Sequence, residues 1–257
     1  MSKRTMLVLA ALVLALAAPL ASWAQQQEPP TFIRVADWTI PRGNWEEYVA
    51  FTKKNVQPLF EKLMADGTIT GWGFFSTAVH EEDGYTHGSW YSANSIANSE
   101  KALAELVKLP QSPIITAGPK HRDYLLRAPL LRTRAASGSN GYLWVSGTLV
   151  QPGKGQEWRE LWDKYTKPVY DELLANGTIV FYAINVEQVH TLNPGQRWVV
   201  YVAPSADAID KVRAAFEAAG QKRGADANRG IGQAFADVTV AGVHRDFFAN
   251  VTSYAQK

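Results

Sequence analysis

Apolar and polar residues alternate in the first half of the chain in a pattern that predicts both strands and helices. Runs rich in β-branched and aromatic residues predict strands. Apolar residues repeated every three or four positions predict helices. In chain order, the predicted elements are a strand at 32–40, a helix at about 44–65, strands at 68–80 and 85–92, a helix at about 95–108 and a strand that begins at 121.

The second half of the chain repeats this series. Residues 47–110 align with 157–220 at a constant offset of 110, without a gap. Identical pairs include Gly67 with Gly177 and His80 with His190. After 13 additional residues in the second half, the triplet His-Arg-Asp at 121–123 aligns with the same triplet at 244–246. A repeat of this length predicts two copies of one domain.

The order βαββαβ in each copy predicts a ferredoxin-like domain. The long strand of the first copy has apolar residues on both faces, so a single sheet with helices on one side would leave apolar side chains in water. A second sheet packed on the open face removes this problem. The predicted fold class is therefore α+β, with tandem ferredoxin-like domains at 31–132 and 142–252 that form one intramolecular, pseudo-dimeric α+β barrel, joined by a small and polar linker at 133–141.

A helix that ends in Asp-Gly-Thr-Ile at 66–69, or Asn-Gly-Thr-Ile at 176–179, precedes a long aromatic strand in each copy. On a βαββαβ frame, this combination resembles the dimeric α+β barrel superfamily. The resemblance covers nearly all of residues 31–250. Members of the superfamily include antibiotic-biosynthesis-type monooxygenases, haem-degrading monooxygenases and chlorite-dismutase-like haem proteins. Because one fold supports many chemistries, the resemblance implies the architecture more directly than the activity.

The first 24 residues have the pattern of a signal peptide. Lys3 and Arg4 precede an apolar segment at 6–20, and small residues flank Trp23 before Gln25. This pattern predicts cleavage before Gln25 and a soluble protein in the bacterial periplasm or outside the cell. The apolar segment is shorter than the ~20 residues that span a membrane, so no membrane anchor is expected after cleavage; an uncleaved anchor is the alternative.

Composition removes several functional classes. The chain contains no cysteine, which excludes disulfides, cysteine nucleophiles and CxxC metal or redox motifs. A net charge of +2 without a long basic segment gives no indication of a nucleic-acid partner. No HExxH, EF-hand or clustered carboxylate pattern is present, so no metal site is predicted. Nine tryptophans, ten tyrosines and ten phenylalanines require many rings to be packed or to line a pocket.

Alternation along the two hairpin strands of each copy places polar and aromatic candidates on one face. If the turn after His80 pairs that residue with Tyr85, the face carries histidine, tyrosine and tryptophan. Such a combination is typical of a ligand cavity. The alternative is that the rings are core residues and that His80 and His190 only end their strands. The candidate ligand-binding residues on this face are Trp72, His80, His87 and Tyr91 in the first copy and Tyr182, His190, Arg197 and Tyr201 in the second.

The repeated triplet supplies the remaining candidates. Alternation puts His121 and Asp123 on one face of the last strand, and His244 and Asp246 on the equivalent face of the second copy. A carboxylate beside an imidazole fixes its tautomer and raises its basicity, as a general base or a metal ligand requires. The alternative is a structural tie between the strand and a neighbouring element.

Three functions follow from these observations. The first is binding of a small hydrophobic or planar ligand between the two sheets. The second is a cofactor-free or haem-handling monooxygenase-like enzyme, and the third is a structural or stress-related role without a ligand. Haem is the one cofactor that the resemblance raises, but haem-degrading relatives use an asparagine on the first strand, where this chain has Asp37 or Ser146. Whether the protein is an enzyme, and whether it is a monomer or a homodimer, stays open at this level.

Overall fold

The computed structural model describes residues 30–80, 84–191 and 194–257. The expected signal peptide at 1–24 lies outside these residues. Nine strands form one antiparallel sheet: β1 Thr31–Trp38, β2 Gly71–Thr77, β3 His87–Ala93, β4 His121–Thr133, β5 Ala136–Gly138, β6 Gly141–Leu149, β7 Phe181–Glu187, β8 Gln196–Ala203 and β9 Arg245–Gln256.

Eight of these strands close into a barrel. Their order is β2-β3-β1-β4-β7-β8-β6-β9, and β9 pairs in turn with β2. The short strand β5 lies within the predicted linker and adds to the edge of β9. The two halves therefore join along two seams, β4 with β7 and β2 with β9. This closed arrangement within one chain confirms the predicted α+β barrel.

Helices lie between the strands in the predicted positions. The first half contains α1 Trp45–Phe51, a π-helical segment at Thr52–Val56, α2 Gln57–Ala65, α3 Ile96–Leu106 and α4 Pro113–Thr116. The second half contains α5 Gly155–Tyr165, α6 Lys167–Ala175, α7 Ala206–Arg223 and α8 Ala225–Val238. The 13 additional residues of the second half thus contribute to a longer helical region before the last strand.

Both halves interrupt their first helix just before a proline. Pro58 follows the π-helical segment, and Pro168 follows the break between α5 and α6. Proline lacks the amide hydrogen that would continue the helical ladder, and its ring crowds the preceding turn. Each helix pair then ends in the same turn: Asp66 Oδ1 accepts a hydrogen bond from Thr68 N at 2.9 Å, and Asn176 Oδ1 accepts one from Thr178 N at 3.0 Å.

Strands β2, β3 and β7 bury side chains on both of their faces. The outer face lies under the helices, and the buried rings of this layer, from strands and helices, include Phe60, Trp72, Phe74 and Tyr91 in the first half and Trp162, Tyr170, Tyr182 and Tyr201 in the second. The inner face points to the barrel axis, and its buried rings come from both halves: Phe75, Trp90, Tyr124, Phe181 and Tyr254. The inner cluster is therefore the place where the two sheets meet.

One end of the barrel carries all five histidines. Because every pair of neighbouring strands is antiparallel, the ends of β1, β2, β6 and β7 lie together with the starts of β3, β4, β8 and β9. Two histidines begin a strand, one precedes a strand, and two follow the end of a strand in this region. In that order they are His87, His121, His244, His80 and His190. We call this region the histidine end.

Candidate functional site

The barrel encloses a cavity of about 770 Å³. This volume lies within the range of about 300–1,000 Å³ that is usual for small-molecule sites. Its walls are mostly apolar and come from strands of both halves. An eight-stranded barrel has an interior that either its own side chains fill or one small ligand occupies. Here the side chains leave space for a ligand.

Aromatic rings from both halves of the chain form one wall. The ring of Phe247 meets Phe75 edge-on at 5.6 Å between centroids, and Phe75 stacks on Trp90 at 6.1 Å. Trp90 then meets Phe181 edge-on at 6.2 Å. The Trp90 ring lies against Gly73, where a Cβ atom would be 2.1 Å from the tryptophan Cη2. Strand β2 therefore needs a glycine at position 73, because any side chain there would clash with the Trp90 ring.

A polar cluster lies at the histidine end of the cavity. Asp37 of β1 and Arg122 of β4 are register partners, and Arg122 Nη2 donates a hydrogen bond of 2.7 Å to Asp37 Oδ2. The Arg122 guanidinium lies 4.3 Å from the ring centroid of Tyr85 and 4.5 Å from that of Tyr124. Two tyrosine faces and one carboxylate therefore hold this cation in a defined orientation.

Burial changes the protonation of this cluster. It raises the pKa of the Asp37 carboxyl above the usual 3.8, and the hydrogen bond from Arg122 opposes the shift. It also raises the pKa of Tyr124 to about 12. A carboxyl group with a raised pKa beside a cavity is a candidate for proton transfer, although ion pairs with a structural role shift pKa values too.

Asn185 is a second polar residue of the cavity wall. It lies in the middle of β7 opposite Trp198 of β8, and only 4% of its surface is exposed. Its Oδ1 atom has no hydrogen-bond partner among the described residues. Sequence reasoning missed Asn185. The available signal was its residue type, because asparagine is depleted in strands and this one interrupts an otherwise apolar run.

The predicted hairpin face exists, but it is the outer face. Trp72 lies opposite Tyr91, and Tyr182 lies opposite Tyr201, so each pair shares a face as expected. In the first half the register differs by two residues from a His80–Tyr85 pairing, which would have put Trp72 opposite Ala93. A shift of two preserves the face. All four rings pack under the helices, away from the cavity, and their binding of a ligand stays a prediction.

His80 and His87 gather around one tryptophan on the outer face. His80 stacks on Trp45 at 5.3 Å, and His87 meets Trp45 and Tyr48 edge-on at 5.3 and 5.2 Å. Burial lowers the pKa of His87 to about 4, and the neighbouring His80 adds to this effect. His87 is therefore neutral at pH 7. It lines a separate, shallow cleft of about 410 Å³ with Trp45, Glu46 and Lys53.

The equivalent candidates of the second half do not form such a group. Arg197 is half-buried, and its pKa is lowered by burial and by the nearby Arg127. Its Nη1 donates to the Gln196 carbonyl oxygen at 3.0 Å. His190 is exposed beyond the end of β7. The structure therefore leaves His190 apart from Tyr182 and Tyr201.

Both His–Asp pairs of the repeated triplet are present. The distance from Nε2 to Oδ1 is 3.1 Å for His121 and Asp123 and 3.2 Å for His244 and Asp246. His121 also stacks on Trp38 at 3.6 Å. All four residues of the pairs are exposed, although Asp246 reaches the rim of the cavity.

Within the described residues, no group of three or more His, Asp or Glu side chains is arranged to hold a metal ion. In the same part of the chain, no helix has the length and apolar character to cross a membrane.

Three solved structures have a fold similar to that of this chain. A candidate monooxygenase from Lactobacillus acidophilus superposes with a TM-score of 0.63 at 12% identity and covers 89% of this chain and 97% of its own. An anthrone oxidase-like protein gives 0.52 at 13%, over 90% and 94%. A chlorite dismutase from Candidatus Nitrospira defluvii gives 0.50 at 9%, over 86% and 90%.

The fold is therefore that of the dimeric α+β barrel proteins, with both sheets supplied by one chain. At these identities the likeness establishes the architecture and not the reaction. No family model matches the sequence, and no curated protein matches it either.

Haem, which the sequence resemblance raised, finds no histidine, cysteine or methionine ligand on the described wall of the barrel cavity. Haem iron needs an axial side chain, most often histidine, cysteine, methionine or tyrosine. No histidine or methionine lies among the described residues that line the cavity, and the chain has no cysteine. Two tyrosines, Tyr85 and Tyr124, also line the cavity. Burial raises the pKa of Tyr124 to about 12, which disfavours the phenolate that iron would bind, and the Arg122 guanidinium lies over both tyrosine rings.

Proposed function

We propose that this protein binds one small, largely apolar and planar molecule inside the barrel. The observation that carries the proposal is the cavity of about 770 Å³ whose wall is a series of aromatic rings from both halves. Flat rings offer stacking and edge contacts to a planar ligand, in addition to burial of its apolar surface. The cluster of Asp37 and Arg122 at the histidine end supplies one polar contact point that orients the molecule.

The proposal is tested by filling the cavity. Val145 is a wall residue, and Val145→Trp places a ring in the space where the ligand would lie. Val189→Trp is the matched control, because Val189 is 56% exposed outside the barrel. Binding of 2-methylnaphthalene is measured by equilibrium dialysis. We expect the cavity variant to lose at least about tenfold in affinity and the control to match the parent protein.

Two results would count against binding in the barrel. One is an unchanged affinity in a folded Val145→Trp protein. The other is an absence of binding in the parent protein, together with native mass spectra that show only the bare chain after purification from its own host. The second result favours the structural or stress-related alternative. The same spectra distinguish a monomer from a homodimer. His80→Ala and His190→Ala in the dialysis assay test whether either histidine contributes to binding.

A monooxygenase-like activity is the second candidate, and Asp37 is the observation that favours it. Its buried carboxylate borders the cavity and can accept a proton from an acidic group of a bound molecule. Two structures with the same fold carry oxygenase or oxidase names, so anthrone is a reasonable first substrate. Oxygen uptake with anthrone should be abolished in Asp37→Asn and retained in Asp210→Asn, an exposed change on α7. Equal rates in both variants would exclude Asp37 as the base.

Export is the remaining part of the proposal. It is supported by the charged, apolar and small-residue segments before Gln25. Fractionation of the host cells and mass spectrometry of the amino terminus test it. A chain that begins at Gln25 in the periplasm or medium is the expected product. A chain that retains residues 1–24 in the membrane fraction would support the uncleaved anchor.

A further inference from the structure

Asn185 stands out among the residues of the barrel interior. The other buried inner-face residues of β7 are Phe181, Ala183 and Glu187. Glu187 at the strand end accepts hydrogen bonds from Thr191. The Asn185 amide oxygen has no partner among the described residues, although the residue is almost completely buried. An unpaired buried acceptor is destabilising unless a ligand or water satisfies it.

An irregularity in the neighbouring strand coincides with this position. Pairing of β4 with β7 runs from Arg127 opposite Val186 to Leu130 opposite Ile184, so the register shifts beside Asn185. Pro129 lies inside the shift and cannot donate a ladder hydrogen bond. Such irregularities often occur next to functional sites, where they change the direction of a side chain. The pairing of β4 with β7, which joins the two halves, is therefore irregular next to the unpaired amide of Asn185.

We propose that the Asn185 Oδ1 atom accepts a hydrogen bond from the bound molecule. The ligand would therefore be an apolar compound that carries a donor, such as a hydroxyl group or an N–H group. This inference rests on the proposed function, because it assigns a recognition role to a wall residue of the same cavity. Asn185 then acts as a specificity residue: it favours a donor-bearing ligand over one of equal shape that lacks the donor.

Three probes of nearly equal shape separate the contributions. 2-Naphthol can donate and accept, 2-methoxynaphthalene can only accept, and 2-methylnaphthalene does neither. We expect the parent protein to bind 2-naphthol about tenfold more tightly than the other two in equilibrium dialysis. If 2-methoxynaphthalene binds as tightly as 2-naphthol, the ligand does not need a donor and the inference is wrong.

Variants at Asn185 provide the second test. Asn185→Leu removes the amide at similar size, and Asn250→Leu is the control because Asn250 is an exposed strand residue of β9. The preference for 2-naphthol over 2-methylnaphthalene should vanish in the first variant and persist in the second. Should Asn185→Leu fail to fold, Asn185→Ala replaces it. A preference that survives in the folded Asn185 variants would overturn the inference.

The outcomes distinguish this inference from the proposed function. Binding of all three probes with equal affinity, lost in Val145→Trp, would support the barrel site and reject the role of Asn185. Binding of none of them by the parent protein would reject the barrel site itself. Thermal unfolding of Asn185→Leu without ligand should show no loss of stability, because an unpaired buried acceptor contributes none and leucine fills a similar volume.

Discussion

The two faces of the barrel strands use aromatic residues in different ways. On the outer face, Tyr182 is fully buried, contacts Trp162 and Tyr170, and donates its hydroxyl hydrogen to Asp171. On the inner face, Trp198 is only partly buried and has Tyr124 as its ring neighbour at 5.8 Å. Helices fill the space above the outer rings. Inner rings contact one another inside a barrel whose strand number sets its width.

This difference shows that ring density does not locate a binding site by itself. The buried outer rings outnumber the buried inner ones, and they have polar neighbours as well. The two faces differ in what covers them: helices cover the outer face, and the cavity borders the inner face. Stability should therefore depend mainly on outer rings, and ligand binding mainly on inner rings. The following variants test that division.

The largest effect is expected for a ring on the outer face. Tyr182→Ala removes a fully buried side chain and should lower the free energy of unfolding by about 3–5 kcal/mol. Trp198→Ala, at the cavity wall, should lower it by about 1–2 kcal/mol because its ring already borders open space. Urea unfolding followed by circular dichroism measures both. Equal losses would mean that the faces do not differ in packing.

A loss of about 3 kcal/mol is expected for the cation of the inner polar cluster. Arg122→Leu leaves the Asp37 carboxylate buried without its partner at pH 7. On the surface of the second half, Arg213 of α7 pairs with Asp210 and Glu217, and all three side chains are exposed. Arg213→Leu should therefore be less costly in the same unfolding assay, because exposed ion pairs contribute little to stability. If Arg213→Leu is the more damaging change, burial of the Asp37–Arg122 pair does not set its contribution.

A pH-dependent effect of about 2 kcal/mol is expected on the outer face. The pKa of His87 is lowered to about 4, so the folded protein binds this proton less tightly than the unfolded chain, whose histidine pKa is near 6.5. Stability should therefore decrease as the pH falls from about 6.5 to 4. His87→Gln should flatten this decrease, whereas the exposed His190→Gln should leave it unchanged. Parallel curves for both variants would refute the assignment.

The smallest effects, about 1 kcal/mol or less, concern two carboxylates on opposite faces. Burial raises the pKa of Asp37 on the inner face, so its contribution to stability falls as the pH rises above 3.8. Burial also acts to raise the pKa of Asp171 on the outer face, but hydrogen bonds from Lys167 and Tyr182 lower it overall. Its stabilising contribution is therefore present above pH 3.8 and is lost as the pH falls through the lowered value.

Unfolding between pH 3 and 6 checks this contrast. Relative to the parent protein, Asp37→Asn should gain stability as the pH rises, and Asp171→Asn should lose it. The sign of each slope matters here, since Asp37→Asn also removes the ion pair with Arg122. Slopes of the same sign would show that the two faces do not impose opposite environments on a carboxyl group.

Sequence reasoning was successful where local pattern and internal repetition determine the structure. The two aligned halves, the turns at Gly67 and Gly177 and the hairpin strands are sufficient to predict the barrel. It did not identify which strand face the helices cover, because a period of two residues is the same on both faces. It placed Trp72 and Tyr91 together correctly but on a face interpreted as a ligand cavity, whereas the structure places both rings under the helices.

Other features depend on contacts between distant segments. The strand β5 in the expected linker exists because 136–138 meets the end of β9, more than a hundred residues away. The unpaired amide of Asn185 and the register shift beside Pro129 are likewise properties of the seam between the halves. Neither can be recognised from residues that are neighbours in sequence.

The closure of the barrel within one chain also affects symmetry. A barrel made of two identical subunits must present every residue twice, so a ligand without internal symmetry would find two equivalent poses. In this protein Asp37 faces Arg122 on one side, whereas Gly147 stands at the matching position opposite Arg245 on the other. Each wall can therefore change independently. A molecule that enters this cavity is expected to adopt one pose, because the two walls present different side chains to it.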